Sequence, residues 1–196
     1  MSGSAPETPG HHEIVVVRHG ETEWSLSGRH TGRTDLPLTD RGRERARGLA
    51  PRFAGRRFAL VLCSPLRRAR ETCELAGFGE VMELCDDLHE WDYGDYEGLT
   101  TPEIWERDPG WVLWRDGCPG GETPAEVGAR ADRALARLRA AGGEAIAFAH
   151  GHILRVVASR WIGMEPASGA RFALGAGAVS VLGFERDTEV LAHWNT

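Results

Sequence analysis

Four consecutive β-branched residues, Ile14 to Val17, run directly into Arg18, His19 and Gly20. Isoleucine and valine pack well on the pleated surface of a sheet. An apolar run without polar alternation is typical of a strand covered on both faces, as in a parallel sheet flanked by helices. Ligands of such sheets bind at the carboxyl ends of the strands, so we expect Arg18 and His19 to lie at the mouth of a site.

Arginine and histidine at this strand end favour phosphate chemistry. A guanidinium binds phosphate through paired hydrogen bonds, and a neutral imidazole can act as a nucleophile. One Arg-His-Gly sequence is weak evidence, because a buried strand can also end in two polar surface residues. The run from Glu144 to Ala149 ends in His150 and Gly151, and two strands that both end in His-Gly favour a functional site.

The bulk properties of the chain limit its partners. Its 196 residues fit a single domain. The net charge of -6, from 23 basic and 29 acidic residues, argues against a general nucleic-acid binder, whose surface should be basic. No stretch approaches the roughly 18 apolar residues of a transmembrane helix, so we predict no membrane span.

The amino terminus has the composition of a tail. Residues 1–12 are rich in serine, glycine, proline and glutamate, and they lack the basic and apolar regions of a signal peptide. We predict a disordered tail over 1–12 and one domain over 13–196, with a small insertion near 92–122. Without a secretion signal, the cysteines are expected to be reduced thiols of a cytoplasmic protein, and none has the Cys-x-x-Cys spacing of a zinc site.

Apolar strands alternate with helical segments along the chain. The predicted strands cover 14–17, 58–63, 81–84, 144–149, 179–184 and 190–194. The predicted helices cover 40–53, 66–75, 102–107, 124–141 and 153–162. This alternation predicts a three-layer α/β/α sandwich with a mainly parallel sheet, in which the final pair of strands supplies an antiparallel edge strand.

Two further segments carry arginines that can reach a bound anion. The long loop after the first strand is rich in turn-forming residues, and it fits a phosphate-covering loop and a solvated loop equally well. The second strand end carries Arg67 and Arg68 in the first turn of a helix, where anions bind. These two side chains point about 100° apart, so we expect at most one to face the site. The arginines and histidine of the long loop are Arg29, His30 and Arg33.

An acidic and aromatic loop covers residues 86–98. A carboxylate covered by tryptophan and tyrosine loses solvation, which raises its pKa to the range that a general acid needs. A solvated acidic loop is the alternative, and composition leaves four candidates open: Glu90, Asp92, Asp95 and Glu97. Three tryptophans follow, which are costly to expose and are expected to pack as a wall or lid over the site: Trp105, Trp111 and Trp114.

Five motifs in this order make the chain similar to the histidine phosphatase superfamily, in its phosphoglycerate-mutase-like branch. The resemblance covers almost everything from Glu13 to the carboxyl terminus. One motif alone is weak, but all five in order are highly specific. They are Arg18-His19-Gly20-Glu21-Thr22-Glu23-Trp24, Ser64-Pro65-Leu66-Arg67-Arg68-Ala69, Glu90 with Tyr93-Gly94-Asp95-Tyr96-Glu97-Gly98, Gly120-Gly121-Glu122-Thr123, and His150-Gly151-His152.

The resemblance implies a role for each motif residue. His19 takes the place of the nucleophile and Glu90 that of the acid/base glutamate. Arg18 and Arg68 match the two phosphate-binding arginines, because the alanine that follows the second arginine of the family selects Arg68. His150 matches the second histidine. The residues expected to contact substrate are Thr22, Ser25, Thr31, Gly32, Tyr93 and Gly151.

The implied activity is that of a metal-independent phosphomonoesterase without a cofactor, acting on a small phosphate ester such as a sugar phosphate through a phosphohistidine. The implied partner is this small molecule, with neither nucleic acid nor membrane, and a homodimer is possible. Many mutases of the family have asparagine where this chain has Ser25, and the loop is more similar to members that hydrolyse phosphate esters, including sedoheptulose bisphosphate. A phosphoglycerate mutase and a non-catalytic phosphate-binding relative are the alternatives.

Overall fold

A computed structural model describes residues 11–196 of the protein. Its strands are β1 (Ile14–Arg18), β2 (Leu60–Cys63), β3 (Glu83–Leu84), β4 (Ala145–Ala149), β5 (Val179–Glu185) and β6 (Thr188–His193). Its α-helices are α1 (Glu23–Ser27), α2 (Asp40–Arg47), α3 (Arg67–Leu75), α4 (Thr101–Arg107), α5 (Leu113–Asp116), α6 (Pro124–Arg139) and α7 (Gly151–Trp161).

The strands form one sheet in the order β3-β2-β4-β1-β5-β6. The first four of these strands pair in parallel, whereas β5 is antiparallel to β1 and β6 is antiparallel to β5. This confirms the predicted α/β fold with a mainly parallel sheet and antiparallel pairing at one edge. Strand β5 runs antiparallel to both of its neighbours, β1 and β6, and β6 is the edge strand.

Alternating side chains of β1 build the two cores of the sandwich. Ile14 and Val16 point to one face of the sheet and join a cluster that includes the apolar sides of α6 and α7. Val15 and Val17 point to the other face and join a cluster that includes α3. Each is fully or almost fully buried, and burial of a side chain of this size contributes about 1.5–3 kcal/mol. A strand apolar on both faces therefore stabilises both layers at once.

Some elements differ from the predicted bounds for local reasons. The helix predicted over 40–53 ends at Arg47, and Ala50–Phe53 forms a separate 3₁₀ turn. Pro51 lies within that turn, and its ring and missing N–H are incompatible with a continuous α-helix. The predicted loop begins with α1, because Thr22 and Ser25 form a reciprocal capping box at its start.

Most of the predicted tail, residues 1–10, lies outside the described residues. At the first described positions, the ring of His11 stacks on Phe184 with centroids 4.2 Å apart. Within residues 11–196, no helix is both long and apolar enough to cross a bilayer. The cysteines are buried free thiols.

Candidate active site

The carboxyl ends of β1, β2 and β4 meet at one edge of the sheet, beside a cavity of about 300 Å³. His19 follows β1 directly and His150 follows β4 directly, and their ring centroids are 5.1 Å apart. Arg68 reaches the same place from the first turn of α3, after β2. The structure therefore brings together the strand-end residues singled out in the sequence.

His19 is held as a neutral imidazole with one unprotonated nitrogen. Its Nδ1 lies 2.7 Å from the carbonyl oxygen of Gly20. Because a carbonyl can only accept a hydrogen bond, Nδ1 carries the proton and Nε2 is left with a free lone pair. Burial, together with the positive charges of Arg68 and Arg18, holds the pKa of His19 well below its usual value. The ring is thus a neutral potential nucleophile near neutral pH.

His150 is held in the opposite tautomer. The Nε of Arg68 donates to Nδ1 of His150 at 3.0 Å, so the proton of this ring is on Nε2. That Nε2 lies 2.7 Å from Oγ of Ser64, to which it donates. Burial and the neighbouring Arg68 and His19 hold the pKa of His150 well below its usual value. The ring therefore offers a hydrogen-bond donor and carries no positive charge near neutral pH.

Arg68 links this histidine to the long loop after β1. Its side chain is fully buried and donates to the carbonyl oxygens of Thr31, Gly32 and Thr34 at 2.9–3.1 Å. With the bond to His150, these contacts use four of its five N–H groups. Arg67 points outward and pairs with Glu71, as expected from the angle between neighbouring residues on a helix.

Arg18 lies on the cavity wall with spare hydrogen-bonding capacity. It donates to the carbonyl oxygen of Leu174, and its buried Nε has no partner in residues 11–196. A Cβ atom added to Gly151 would lie 3.3 Å from Cζ of Arg18, so glycine allows the two to approach closely. Within the described residues, neither Arg18 nor Arg68 forms an ion pair with a carboxylate. Arg18 can therefore meet an anion directly at the cavity wall, whereas Arg68 is fully buried, is not part of the cavity lining and keeps one N–H group.

Glu90 lies in the cavity wall because it caps the helix that follows His150. Its Oε1 accepts from the N–H groups of Trp91 and Ile153, both at 2.9 Å, and its Oε2 accepts from the N–H of His152 at 3.0 Å. Two of these donors belong to the first turn of α7, where backbone N–H groups lack partners within the helix. The side chain is almost completely buried and fixed in direction.

The other acidic candidates lie outside the cavity wall. Glu97 accepts from the N–H groups of Gly32 and Thr34 and so fixes the loop around Arg68. Asp92 pairs with Arg33 at 3.0 Å. Asp95 is exposed. Of the four carboxylates that composition left open, Glu90 is the one in the cavity wall.

Most residues expected to contact substrate also line the cavity. The hydroxyl of Ser25 is engaged in the cap of α1, where it accepts from the N–H of Thr22 and donates to its carbonyl. The hydroxyl of Tyr93 lies 2.5 Å from Nδ1 of His152. Gly32 is not part of the wall, and its N–H donates to Glu97. The expected contacts that do line the cavity are Thr22, Ser25, Thr31, Tyr93 and Gly151.

Sequence reasoning missed Arg155 and the residues that fix the Glu90 loop. Arg155 lies in the cavity wall three positions after His152 on α7, a spacing that places both on one helix face. Arg130 pairs with Glu122 at 2.6 Å and donates to backbone carbonyls of the loop before Glu90. This pair gives a structural reason for the glutamate of the Gly-Gly-Glu-Thr motif.

The three tryptophans of the predicted wall differ in burial. Trp114 packs against His152, with ring centroids 5.3 Å apart, and so supports a residue of the cavity wall. Trp111 is buried and donates to the carbonyl of Gly117. Trp105 is 50% exposed, contrary to the expectation that all three are covered.

Comparison with known proteins gives matches along nearly the whole chain. The family model described as "Histidine phosphatase superfamily (branch 1)" matches residues 14–196. An acid phosphatase from Mycobacterium tuberculosis is 45% identical over 186 residues, which cover 92% of this chain and 91% of that protein. A sedoheptulose 1,7-bisphosphatase from Saccharomyces cerevisiae is 39% identical over a match that covers 76% of this chain and 67% of that protein. A solved structure of a Mycobacterium tuberculosis open reading frame aligns with a TM-score of 0.89 and 42% identity, covering 94% of this chain and 97% of that one.

Proposed function

Because the chain belongs to branch 1 of the histidine phosphatase superfamily, we propose that it hydrolyses sugar phosphates through a phosphohistidine formed at His19. The membership confirms the resemblance carried by the five motifs, and the chain is a phosphatase. The relatives named acid phosphatase and sedoheptulose 1,7-bisphosphatase support a small phosphate ester as substrate.

The observation that carries the proposal is the unprotonated Nε2 of His19 in a site where the charges of Arg18 and Arg68, neither of which has a carboxylate partner within residues 11–196, act on the ring. A phosphate dianion resists attack because of its own charge. Arg18 and Arg68 neutralise that charge, and a hydrogen bond from Nε2 of His150 stabilises the equatorial oxygens of the transition state. His150 is held in place before the substrate arrives, but its Nε2 must exchange Oγ of Ser64 for a phosphate oxygen.

In the first step, Nε2 of His19 attacks phosphorus and the bond from phosphorus to the ester oxygen breaks. Glu90 enters this step protonated and gives its proton to the leaving alkoxide. In the second step, Glu90 as a carboxylate takes a proton from water, whose oxygen attacks the phosphohistidine. Inorganic phosphate leaves, His19 regains its lone pair, and Glu90 again holds a proton.

A quench experiment tests the intermediate. The protein is mixed with p-nitrophenyl phosphate or fructose 6-phosphate and stopped in base, where phosphohistidine survives, and peptides are then identified by mass spectrometry. We expect a phosphoryl group on His19 and release of inorganic phosphate and alcohol in equal amounts. His193→Gln is the matched control, since His193 is exposed on β6. A phosphoryl group on another residue, or an unlabelled and inactive protein, contradicts the proposal.

The products also separate hydrolysis from its alternatives. A phosphoglycerate mutase returns the phosphoryl group to a second hydroxyl and depends on a bisphosphate activator, so it yields an isomeric ester in place of free phosphate. A non-catalytic relative binds phosphate without turnover. Either result argues against hydrolysis.

Glu90→Ala tests the assignment of the acid. The variant should slow hydrolysis of an alkyl phosphate by about 10²–10⁴-fold. The first step with p-nitrophenyl phosphate should be affected much less, because its leaving group needs little protonation. Equal effects on phosphohistidine formation from both esters would show that Glu90 does not act as the acid.

A further inference from the structure

One cation in the cavity wall has no task in the proposed reaction. Arg155 lies on α7 one turn beyond Gly151 and lines the same cavity as His19. Within residues 11–196 it forms no ion pair with a carboxylate. Arg29 also lines the cavity, but Glu103 lies 3.6 Å from it and compensates its charge.

The guanidinium of Arg155 is held in place with donors to spare. Its Nε donates to the carbonyl of Gly169 at 2.9 Å and its Nη2 to that of Ala170 at 3.1 Å. Its Cζ lies 4.5 Å from the ring centroid of Trp114, which fixes the plane from one side. Within residues 11–196, these bonds leave Nη1 and one hydrogen of Nη2 without an acceptor, so a rigid cation can meet an anion at little entropic cost.

We infer that Arg155 binds a second anionic group of the substrate, a phosphate or a carboxylate, while His19 receives the phosphoryl group that is transferred. The inference rests on the proposed function and narrows it to phosphate esters that carry two anionic ends. A cavity of about 300 Å³ is at the small end of ligand sites, which suits a short carbon chain between the two groups. The ring of His152, which lines the cavity and packs on Trp114, would flank that chain.

Matched pairs of esters test this inference. Fructose 6-phosphate is compared with fructose 1,6-bisphosphate, and glycerol 3-phosphate with 3-phosphoglycerate, so that the first pair adds a phosphate and the second adds a carboxylate. We expect the wild type to have the higher kcat/KM for the doubly anionic member of at least one pair, and that pair identifies the anion. No preference in either pair would overturn the inference.

Arg155→Gln should remove that preference. A hydrogen-bonded charge of this kind corresponds to about a 10–100-fold loss in kcat/KM, confined to the doubly anionic ester, with p-nitrophenyl phosphate affected less than about threefold. Arg155→Lys keeps the cation without the carbonyl contacts and should retain part of the preference. Arg29→Gln should lose less, because Glu103 already compensates Arg29. Arg160→Gln is the matched control, since Arg160 pairs with Asp132 on the surface.

The outcomes separate this inference from the proposed function. Equal losses on all esters in both Arg155 variants would assign the residue a structural role only and overturn the inference. If the wild type hydrolyses p-nitrophenyl phosphate, and hydrolyses esters with one anionic group as efficiently as those with two, the inference fails and the proposed function stands. If no ester is hydrolysed, the proposed function itself fails.

Discussion

The ends of β1 and β4 have the same local sequence, an apolar strand followed by histidine and glycine, yet the two histidines are prepared for opposite tasks. The Nδ1–H of His19 donates a hydrogen bond to a carbonyl oxygen, which leaves a lone pair on Nε2. His150 accepts at Nδ1 from Arg68 and keeps its proton on Nε2. Burial holds both rings neutral. One partner atom at Nδ1, an acceptor or a donor, therefore decides which ring can attack and which can only donate.

The largest expected effect comes from replacing His19 by glutamine. Glutamine has an amide that can donate a hydrogen bond near the position of Nε2, but it has no nucleophilic lone pair there. His19→Gln should therefore abolish turnover and phosphohistidine formation completely while leaving the fold intact. Steady-state rates and the quench experiment measure the loss, and circular dichroism checks the fold. Substantial activity in this variant would mean that another group attacks phosphorus.

Substitutions at His150 should give a smaller loss of activity. His150→Ala removes one donor to the developing charge, which costs about 10²–10³-fold in kcat. His150→Gln keeps a donor and should recover part of that loss, whereas His19→Gln recovers nothing. Phosphohistidine should still form in both His150 variants on a slower time scale. If glutamine is no better than alanine at His150, the donor role is wrong.

The neutral state of both rings predicts an acid-sensitive fold. The ordinary pKa of 6.5 applies to the unfolded chain, and the pKa of each folded ring lies well below it. As the pH falls below about 6.5, the unfolded state binds protons that the folded state does not, so the free energy of unfolding decreases by up to about 1.4 kcal/mol per pH unit for each ring. Above pH 6.5 this contribution is constant.

Urea unfolding between pH 7.5 and pH 5.5 measures the decrease. His150→Gln has one ring fewer to protonate in the unfolded state, so the loss of stability between pH 7.5 and pH 5.5 should be smaller by about 1.4 kcal/mol in total. His193→Gln serves as the control. An unchanged slope in His150→Gln would contradict the buried neutral ring.

The sequence predicted the parts of this arrangement that depend on pattern. The apolar runs of β1 and β4 indicated buried parallel strands, and the fold confirms it because such runs need cover on both faces. The motifs placed His19 and His150 at strand ends and Arg68 and Glu90 in segments that follow other strands, and the structure brings these segments to one edge of the sheet. The roles of these residues are still predictions.

The tautomers were beyond prediction from the sequence. They depend on contacts between distant segments, such as Arg68 with His150, which are 82 positions apart. Composition left Glu90 as one of four candidates for the same reason, since its partners Ile153 and His152 belong to α7. Arg155 was missed although its helical spacing from His152 was visible, because spacing alone does not reveal a missing ion-pair partner.

The smallest expected effect concerns Ser64, whose hydroxyl oxygen accepts a hydrogen bond from Nε2 of His150 when no phosphate is bound. Ser64→Ala leaves that buried donor unsatisfied and should destabilise the free protein by about 1–3 kcal/mol. A bound phosphate then supplies the missing acceptor without first displacing the serine, so inorganic phosphate should inhibit the variant at concentrations up to about tenfold lower. Ser180→Ala, at a buried serine that accepts from the N–H of Asn195, is the control for stability and should leave inhibition unchanged. Weaker inhibition of Ser64→Ala would mean that phosphate does not replace Ser64 as the acceptor, and that His150 serves the site through Arg68 alone.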